Sequence, residues 1–444
     1  MSFQLTVIIV GAGIGGLAAA LALRQAGHKA VVLERCSSKR EVGFAVSLSP
    51  NANMVLRSLG VDFKSARMVY CTEEVIIQAL PAEQPFQVLW RKSLANLEKE
   101  YGAPWMTVHR VDLHNCLRDL ATRREGAGVP VDIMEGVSAV YFDPAGSITL
   151  HNGEMLKGDF IVAADGVKSK AHRSIMKDGE ERPATLTGVS NVRVCVPTRA
   201  LMEDKELREF MELAPHGTSV SLGSRRDRLI LRYPCRDNLL QNFGFYAATD
   251  DNLPTNKQKC NTQTAKQVAS DHIQSFHPSL HKMLDYCDED DMYHWKVADR
   301  DPLPTYHKDR LIVLGDAAHP MLPTLGNGAG MAIEDAGALG AIMEGVNGVG
   351  EVARRLDLWD RLRRPRASAV QLLSRTVAVE YDLSKETQDM VRQYLSEEEL
   401  PDFTRTCVNR MLFRYDCLGE TRRAMQDMMN SAICASSRQF GAAH

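Results

Sequence analysis

Residues 5–10 (LTVIIV) form an unbroken apolar run without alternation, the pattern of a strand covered on both faces. GAGIGG follows at 11–16, then LAAALALRQAG, whose Ala and Leu content favours a helix that ends at Gly27. KAVVLER is a second apolar run. Strand, glycine-rich turn, helix and strand within ~30 residues make a βαβ unit. Leu5 to Leu23 also carries no charge, which is long enough to raise the question of a membrane span. No positive segment precedes it and four glycines interrupt it, so the reading is strand, turn and helix, with no integral span.

Further along, residues 43–60 read as a strand or loop entering a helix near Asn51, and the runs in 70–90 as antiparallel strands. Asp112 to Arg124 predicts a helix with Leu113, Leu117 and Leu120 on one face. Short strands between the turn signals DPAG and HNGE lead to DFIVAADG, a buried strand ending in Asp165-Gly166. Residues 185–250 are again β-rich (SNVRVCVP, TSVSLGS, RLILRYP, NFGFYAA), and 260–290 look helical. RLIVLGDAAHP is another buried strand, followed by the small-residue helix GAGMAIEDAGALGAIM, and the chain beyond 350 is helical and rich in Arg and Met. The predicted class is α/β: a Rossmann-like nucleotide-binding domain (1–70, 105–180 and 290–350), an inserted β-rich substrate lobe (71–104 and 181–289) and a C-terminal helical region (351–444).

Composition narrows the partners. The chain has 444 residues, 44 % apolar and 25 % charged, which is ordinary for a globular protein. With 53 basic and 56 acidic residues its net charge is −3, so no overall field attracts nucleic acid. The ten cysteines form no CxxC pair and no metal-ligand spacing, as expected of free thiols in a reducing, cytoplasmic setting, with peripheral membrane contact left open.

Three motifs carry chemistry. In GAGIGG, Gly11 permits the tight turn, Gly13 lets the backbone approach a pyrophosphate and Gly16 lets the helix pack against the strand. The helix N-terminus offers N–H groups and a positive dipole end to phosphates. Glu34 ends the second strand where an acceptor for a ribose hydroxyl belongs, and its charge would repel a 2′-phosphate, so this site suits FAD or NAD rather than NADP. Asp165-Gly166 and Gly315-Asp316-Ala317-Ala318-His319-Pro320 each place an Asp at the carboxyl end of a buried strand, where open α/β sheets bind ligands.

In this order the motifs resemble those of the flavin-dependent aromatic hydroxylases of the para-hydroxybenzoate and salicylate hydroxylase type, over roughly residues 5–375. The resemblance implies one non-covalent FAD, held by Gly11, Gly13, Gly16, Glu34 and Arg35, with Arg110 as a further contact and Asp316 on the ribityl chain. It associates Asp165 and Gly166 with both FAD and a transient NADPH or NADH. It puts the loop from Pro323 to Gly330, including Gly328 and Ala329, beside the isoalloxazine ring. The implied reaction reduces the flavin, adds O2 to form a C4a-hydroperoxyflavin, and inserts one oxygen into an aromatic small molecule, as a monooxygenase of secondary metabolism would. Arg193 and Tyr233 are the expected catalytic contacts to substrate. Arg232 and Arg236 are expected to face solvent, His319 to belong to a turn, and Trp90, Phe245 and Tyr246 to be core or pocket wall.

The favoured outcome is phenol hydroxylation, for which Arg193 and Tyr233 should converge on one polar spot. Indole 2,3-epoxidation, with semipinacol rearrangement to a spirooxindole, would instead call for a larger apolar pocket with one acidic donor. A non-oxygenating flavin reductase or dehydrogenase is the other alternative. A monomer or homodimer is expected.

Overall fold

The computed structural model describes residues 3–37, 43–79, 85–177, 179–215, 217–222, 229–248, 262–287, 292–376 and 383–441. Residues 223–228 of the predicted β-rich stretch, 250–261 and two cysteines' side chains (Cys260 and Cys434) lie outside the described set. The other eight cysteines are free thiols.

The apolar run at the start forms the strand Thr6–Val10, at the centre of a six-stranded sheet. Its neighbours are Lys29–Glu34 on one side and Phe160–Ala163 on the other, both parallel to it. Leu311–Val313 continues the parallel set beyond Phe160–Ala163, and Asp132–Glu135 beyond Lys29–Glu34. Three strands therefore end side by side at the points where the motifs begin. The helix Ile14–Gln25 crosses the sheet, and its predicted end at Gly27 has φ +91°. The small-residue helix Gly328–Met343 packs against it so closely that a Cβ on Gly340 would stand 2.7 Å from the Ala22 Cβ. Glycine and alanine in both helices permit that approach. Their shared apolar core includes Leu17, Leu21, Ile333, Leu339 and Trp359.

The second unit is a seven-stranded sheet in which Thr185–Pro197 pairs with Leu240–Ala248 on one side and Tyr293–Asp299 on the other. The strand Tyr293–Asp299 therefore belongs to the β-rich lobe. The predicted boundary at 290 assigned it to the nucleotide unit, because a single strand carries no mark of its sheet. Period-two alternation gives this sheet two faces. Val192, Val194, Ile230, Phe243 and Phe245 pack under the helices of the lobe. Leu229, Leu231, Tyr233, Tyr246 and Ala248 face the other way, into a cavity. Arg232 alternates with Leu231 and Tyr233 and so points under the helices, 1 % exposed. It donates there to Gly217 O at 3.1 Å and Gln241 Oε1 at 3.3 Å, which corrects the expectation of a solvent-facing side chain. Burial lowers its pKa to about 10. Arg236 is half-buried and forks onto Asp112 at 2.9 and 3.0 Å, so it too is engaged with protein.

A small sheet of Ala45–Leu48, Met106–His109 and Val69–Tyr70 joins the two units. Ala45 N–H donates to Asn242 Oδ1 at 3.1 Å, and Thr107 Oγ1 to Pro234 O at 2.6 Å. The C-terminal region is helical as predicted, with helices Val352–Leu373, Lys385–Val391, Arg405–Phe413 and Cys417–Gly441. No helix among the described residues is long and apolar enough to cross a membrane.

Candidate active site

One hollow meets the ends of the parallel strands, and a second lies against the seven-stranded sheet. The first is a groove of ≈ 450 Å³ whose lining includes Gly11, Gly13, Glu34, Arg35, Arg110, Asp165 and Gly166. Gly11 has φ +105°, and a Cβ there would fall 2.4 Å from Ala164 O, so the turn accepts glycine alone. A Cβ on Gly16 would fall 1.9 Å from Gly11 O, which makes that glycine the contact between helix and turn. Gly13, the helix N-cap, has nothing within 4 Å of its would-be Cβ, so the backbone stays open to the groove. Glu34 accepts from the N–H groups of Ala12 and Cys36, each at 2.9 Å, and so clamps the glycine loop to the second strand. Each carboxylate oxygen keeps a further lone pair for a hydroxyl. Asp165 Oδ1 is buried with no hydrogen-bond partner among the described residues, and burial raises this carboxyl. An open glycine cradle, a helix N-terminus and acceptor-only carboxylates fit the pyrophosphate and hydroxyls of a dinucleotide.

Asp316 is at the surface of the short turn Gly315–Ala317, but the protein packed round its carboxyl raises it by desolvation, against the pull of His319, Arg110 and Arg300. Its loop is tied from behind. Asp335 accepts from Gly315 N–H at 3.2 Å, His319 Nε2 at 2.6 Å and Arg363 Nε at 2.9 Å. His319 is thus a fully buried structural group and lines neither hollow. Beside it Glu334 binds Arg363 at 2.8 Å, both arms of Arg366 at 2.8 Å and Asn51 Nδ2 at 2.6 Å. The loop Pro323–Leu325 then turns through Gly326 (φ +62°) into Asn327, which caps the helix containing Gly328 and Ala329.

The second hollow, of ≈ 300 Å³, begins at this loop. Leu322 to Asn327 form one wall, and Tyr233, Tyr246, Leu229 and Leu231 of the seven-stranded sheet another. Trp105 and Ser47 come from the small sheet, bonded to each other at 2.5 Å. The remaining wall comes from the C-terminal region, where Arg405, Asn409 and Phe413 lie on one face of a single helix at spacings of four. Sequence reasoning left the role of that region open. The spacing was visible, but nothing in it says which cavity the face meets.

The two substrate contacts expected from sequence lie on one face of the seven-stranded sheet and act on each other through charge, but they do not offer one shared polar spot to the cavity. Tyr233 is on the cavity wall, but its hydroxyl donates to Ala45 O at 2.8 Å, and burial pushes its phenol up. Arg193 is not among the described wall residues. Its guanidinium lies 4.5 Å from the Phe44 ring centroid and 5.9 Å from that of Trp295, and it hydrogen-bonds Tyr246. Tyr246 is therefore the wall hydroxyl with a cation behind it, a part that sequence reasoning gave to Tyr233. Phe245 is plain core, and Trp90 lies under Arg405, whose guanidinium is 4.9 Å from its centroid.

The family model described as the FAD binding domain matches residues 4–374. An FAD-dependent monooxygenase of Diaporthe leptostromiformis is 33 % identical over 396 residues, covering 89 % of this chain and 96 % of its own. Hispidin-3-hydroxylase of Neonothopanus nambi is 29 % identical, covering 97 % of this chain and 99 % of its own. A salicylate hydroxylase–substrate complex superposes with a TM-score of 0.70 at 23 % identity, over 95 % of this chain and 98 % of its own. With one groove on the glycine turn and a separate, mostly apolar hollow on the loop Leu322–Asn327, the chain belongs to the FAD-dependent monooxygenases of the aromatic hydroxylase family.

Proposed function

We propose that the protein oxygenates the ring of an electron-rich aromatic small molecule, consuming O2 and NADH or NADPH, with phenol hydroxylation as the outcome. The observation that carries this reading is the mostly apolar cavity opening on the loop Leu322–Asn327, whose residues also introduce the helix Gly328–Met343. Bound FAD supplies the hydride acceptor and the O2-activating ring. The chain's part is to hold and orient. Gly11, Gly13 and Gly16 shape the pyrophosphate cradle. Glu34, Asp165 and Asp316 accept hydroxyl hydrogen bonds, Arg35 and Arg110 add positive charge, and Gly166 keeps the turn beside Asp165 open. Gly328 and Ala329 present the positive end of a sixteen-residue helix, which favours negative charge beside it.

Toward the substrate, Tyr246 donates to a ring oxygen while Arg193 donates to Tyr246, and Tyr233 shapes the wall with its hydroxyl committed to Ala45. Leu229, Leu231, Leu322, Leu325 and Phe413 exclude water from the reacting carbon. The names of the relatives, a hispidin 3-hydroxylase and a salicylate hydroxylase, support a phenolic ring. Epoxidation of an indole is the second reading, favoured by the mostly apolar cavity wall on which the Tyr233 hydroxyl is already committed to Ala45 O.

The test is anaerobic rapid mixing of the FAD-loaded protein with NADH or NADPH, with panels of phenols and of indoles. One class is expected to accelerate flavin bleaching, and that compound is expected to gain one oxygen when air returns. Reduction with no transfer of oxygen to any ring would replace this reading by a reductase.

A further inference from the structure

Three charged side chains reach the substrate cavity: Glu74, Arg375 and Arg405. Both guanidiniums are already committed. Arg375 donates from Nε to Asp299 at 2.7 Å and from Nη2 to Asp301 at 2.8 Å. Arg405 is ion-paired with Glu74 and lies over the Trp90 ring. In these two clusters two guanidiniums face three carboxylates, and Lys92 and Arg300 act on Glu74 and Asp299 from outside them. The third arginine of the region, Arg193, stands behind Tyr246 between aromatic rings. What remains at the end of the cavity beside the helix Arg405–Phe413 is neutral and polar. Thr218 sits in register with Glu74, and Asn409 is one turn along from Arg405.

A carboxylate ligand needs an uncommitted fork to repay its desolvation. Here it would meet forks already bound to acids. A hydroxyl or carbonyl carries no charge to desolvate and needs no such fork. We infer that this cavity selects uncharged, oxygen-bearing aromatics and discriminates against hydroxybenzoate-type anions, with the Arg405–Glu74 pair and the Arg375–Asp299–Asp301 cluster as the discriminating elements. The inference deepens the ring-oxygenation reading and rests on it for the chemistry that follows binding.

The experiment compares 4-hydroxycinnamamide with 4-hydroxycinnamic acid, a pair that differs in charge at one end. Each is titrated into the FAD-loaded protein and followed by perturbation of the visible flavin spectrum, so that binding is read without turnover. The amide is expected to bind at least about tenfold more tightly. Glu74→Gln frees Arg405 to meet a carboxylate and is expected to move the ratio toward the acid by about tenfold. Asp301→Asn, at an exposed position that folding tolerates, is expected to move it the same way by a smaller factor. Equal or tighter binding of the acid by the wild type, no spectral change with either ligand, or a ratio unmoved in both variants would overturn the inference. Binding of the amide without its oxygenation supports the selection and overturns the oxygenation reading alone.

Discussion

Asp335→Asn tests whether the buried charge cluster behind the cofactor loop holds the cleft in shape. Asp335 is fully buried, with His319 and Gly315 N–H on one oxygen and Arg363 on the other. In the variant Arg363 keeps only Glu334, which already serves Arg366, so two guanidiniums share one carboxylate away from water. Removing one partner of a buried pair costs about 3–5 kcal/mol. Asn can still accept one of these hydrogen bonds, which places the cost near about 3 kcal/mol. At about 2 °C per kcal/mol for a large chain, Tm falls by about 6 °C at pH 7. Burial raises the Asp335 carboxyl, but His319 and Arg363 outweigh it and hold the group below the usual carboxylate range. Burial likewise raises Glu334, and Arg366 and Arg363 win there too. A carboxylate depressed in the folded state adds stability that is full above its unfolded pKa of about 4 and is lost as pH falls through the folded value. The gap in Tm between wild type and variant should therefore be full at pH 7 and narrow below about pH 4. Asp335 also anchors Gly315, the residue before Asp316, so the variant should retain less FAD after gel filtration. Thermal melts across pH, with flavin absorbance of the filtered protein, make the measurement. A gap under about 2 °C at pH 7, or one that widens on acidification, refutes the reasoning.

Other expectations follow from single contacts. Gly16→Ala places a methyl 1.9 Å from Gly11 O and should give protein without bound flavin, read as loss of visible absorbance against protein absorbance. Asp316→Ala removes a charged acceptor, and FAD affinity should fall by about 10- to 100-fold in fluorescence titration. Tyr233→Phe leaves the Ala45 carbonyl without its 2.8 Å donor and should cost about 1–2 kcal/mol in denaturant unfolding, with the pH profile of turnover unchanged. Tyr246→Phe should leave flavin content as it is, raise substrate KM by about 3- to 10-fold, and cost about 1–3 kcal/mol in denaturant unfolding because Arg193 loses its hydroxyl acceptor.

The cofactor half was legible in the sequence because its constraints are local. Gly11, Gly13 and Gly16 sit within one turn, and Glu34 follows them by the length of one helix and one strand, so chain order fixes their proximity. The substrate half depends on contacts between distant segments. Tyr246 outranks Tyr233 on the wall because Arg193 and Tyr246 lie on the two long paired strands at the cavity face, while Ala45, nearly two hundred residues away, claims the Tyr233 hydroxyl. Arg232 departs from the expectation of a solvent-facing side chain for a related reason. Alternation in the strand sets it opposite Tyr233, but no pattern tells a face covered by helices from one open to water.

The C-terminal helices show why the motifs name the chemistry and leave the substrate unnamed. Val408, Leu412 and Phe413 of the wall helix share one apolar cluster with Leu325 and Met331, which flank the start of the flavin-side helix. The helix that closes the cavity therefore packs on the loop proposed to lie beside the flavin, and a change of volume at Val408 or Leu412 is felt at Leu325. Arg405 and Asn409 lie on the cavity side of that helix, Arg405 paired with Glu74 of the lobe. Substrate choice can thus change through one helix face and the strand carrying Glu74, while the glycine cradle, Asp316 and the Asp335 anchor stay fixed. On this argument, substitution at Asn409 should alter which ring is accepted at constant flavin content, whereas Leu412→Ala should lower both flavin content and stability, the latter by about 2–5 kcal/mol.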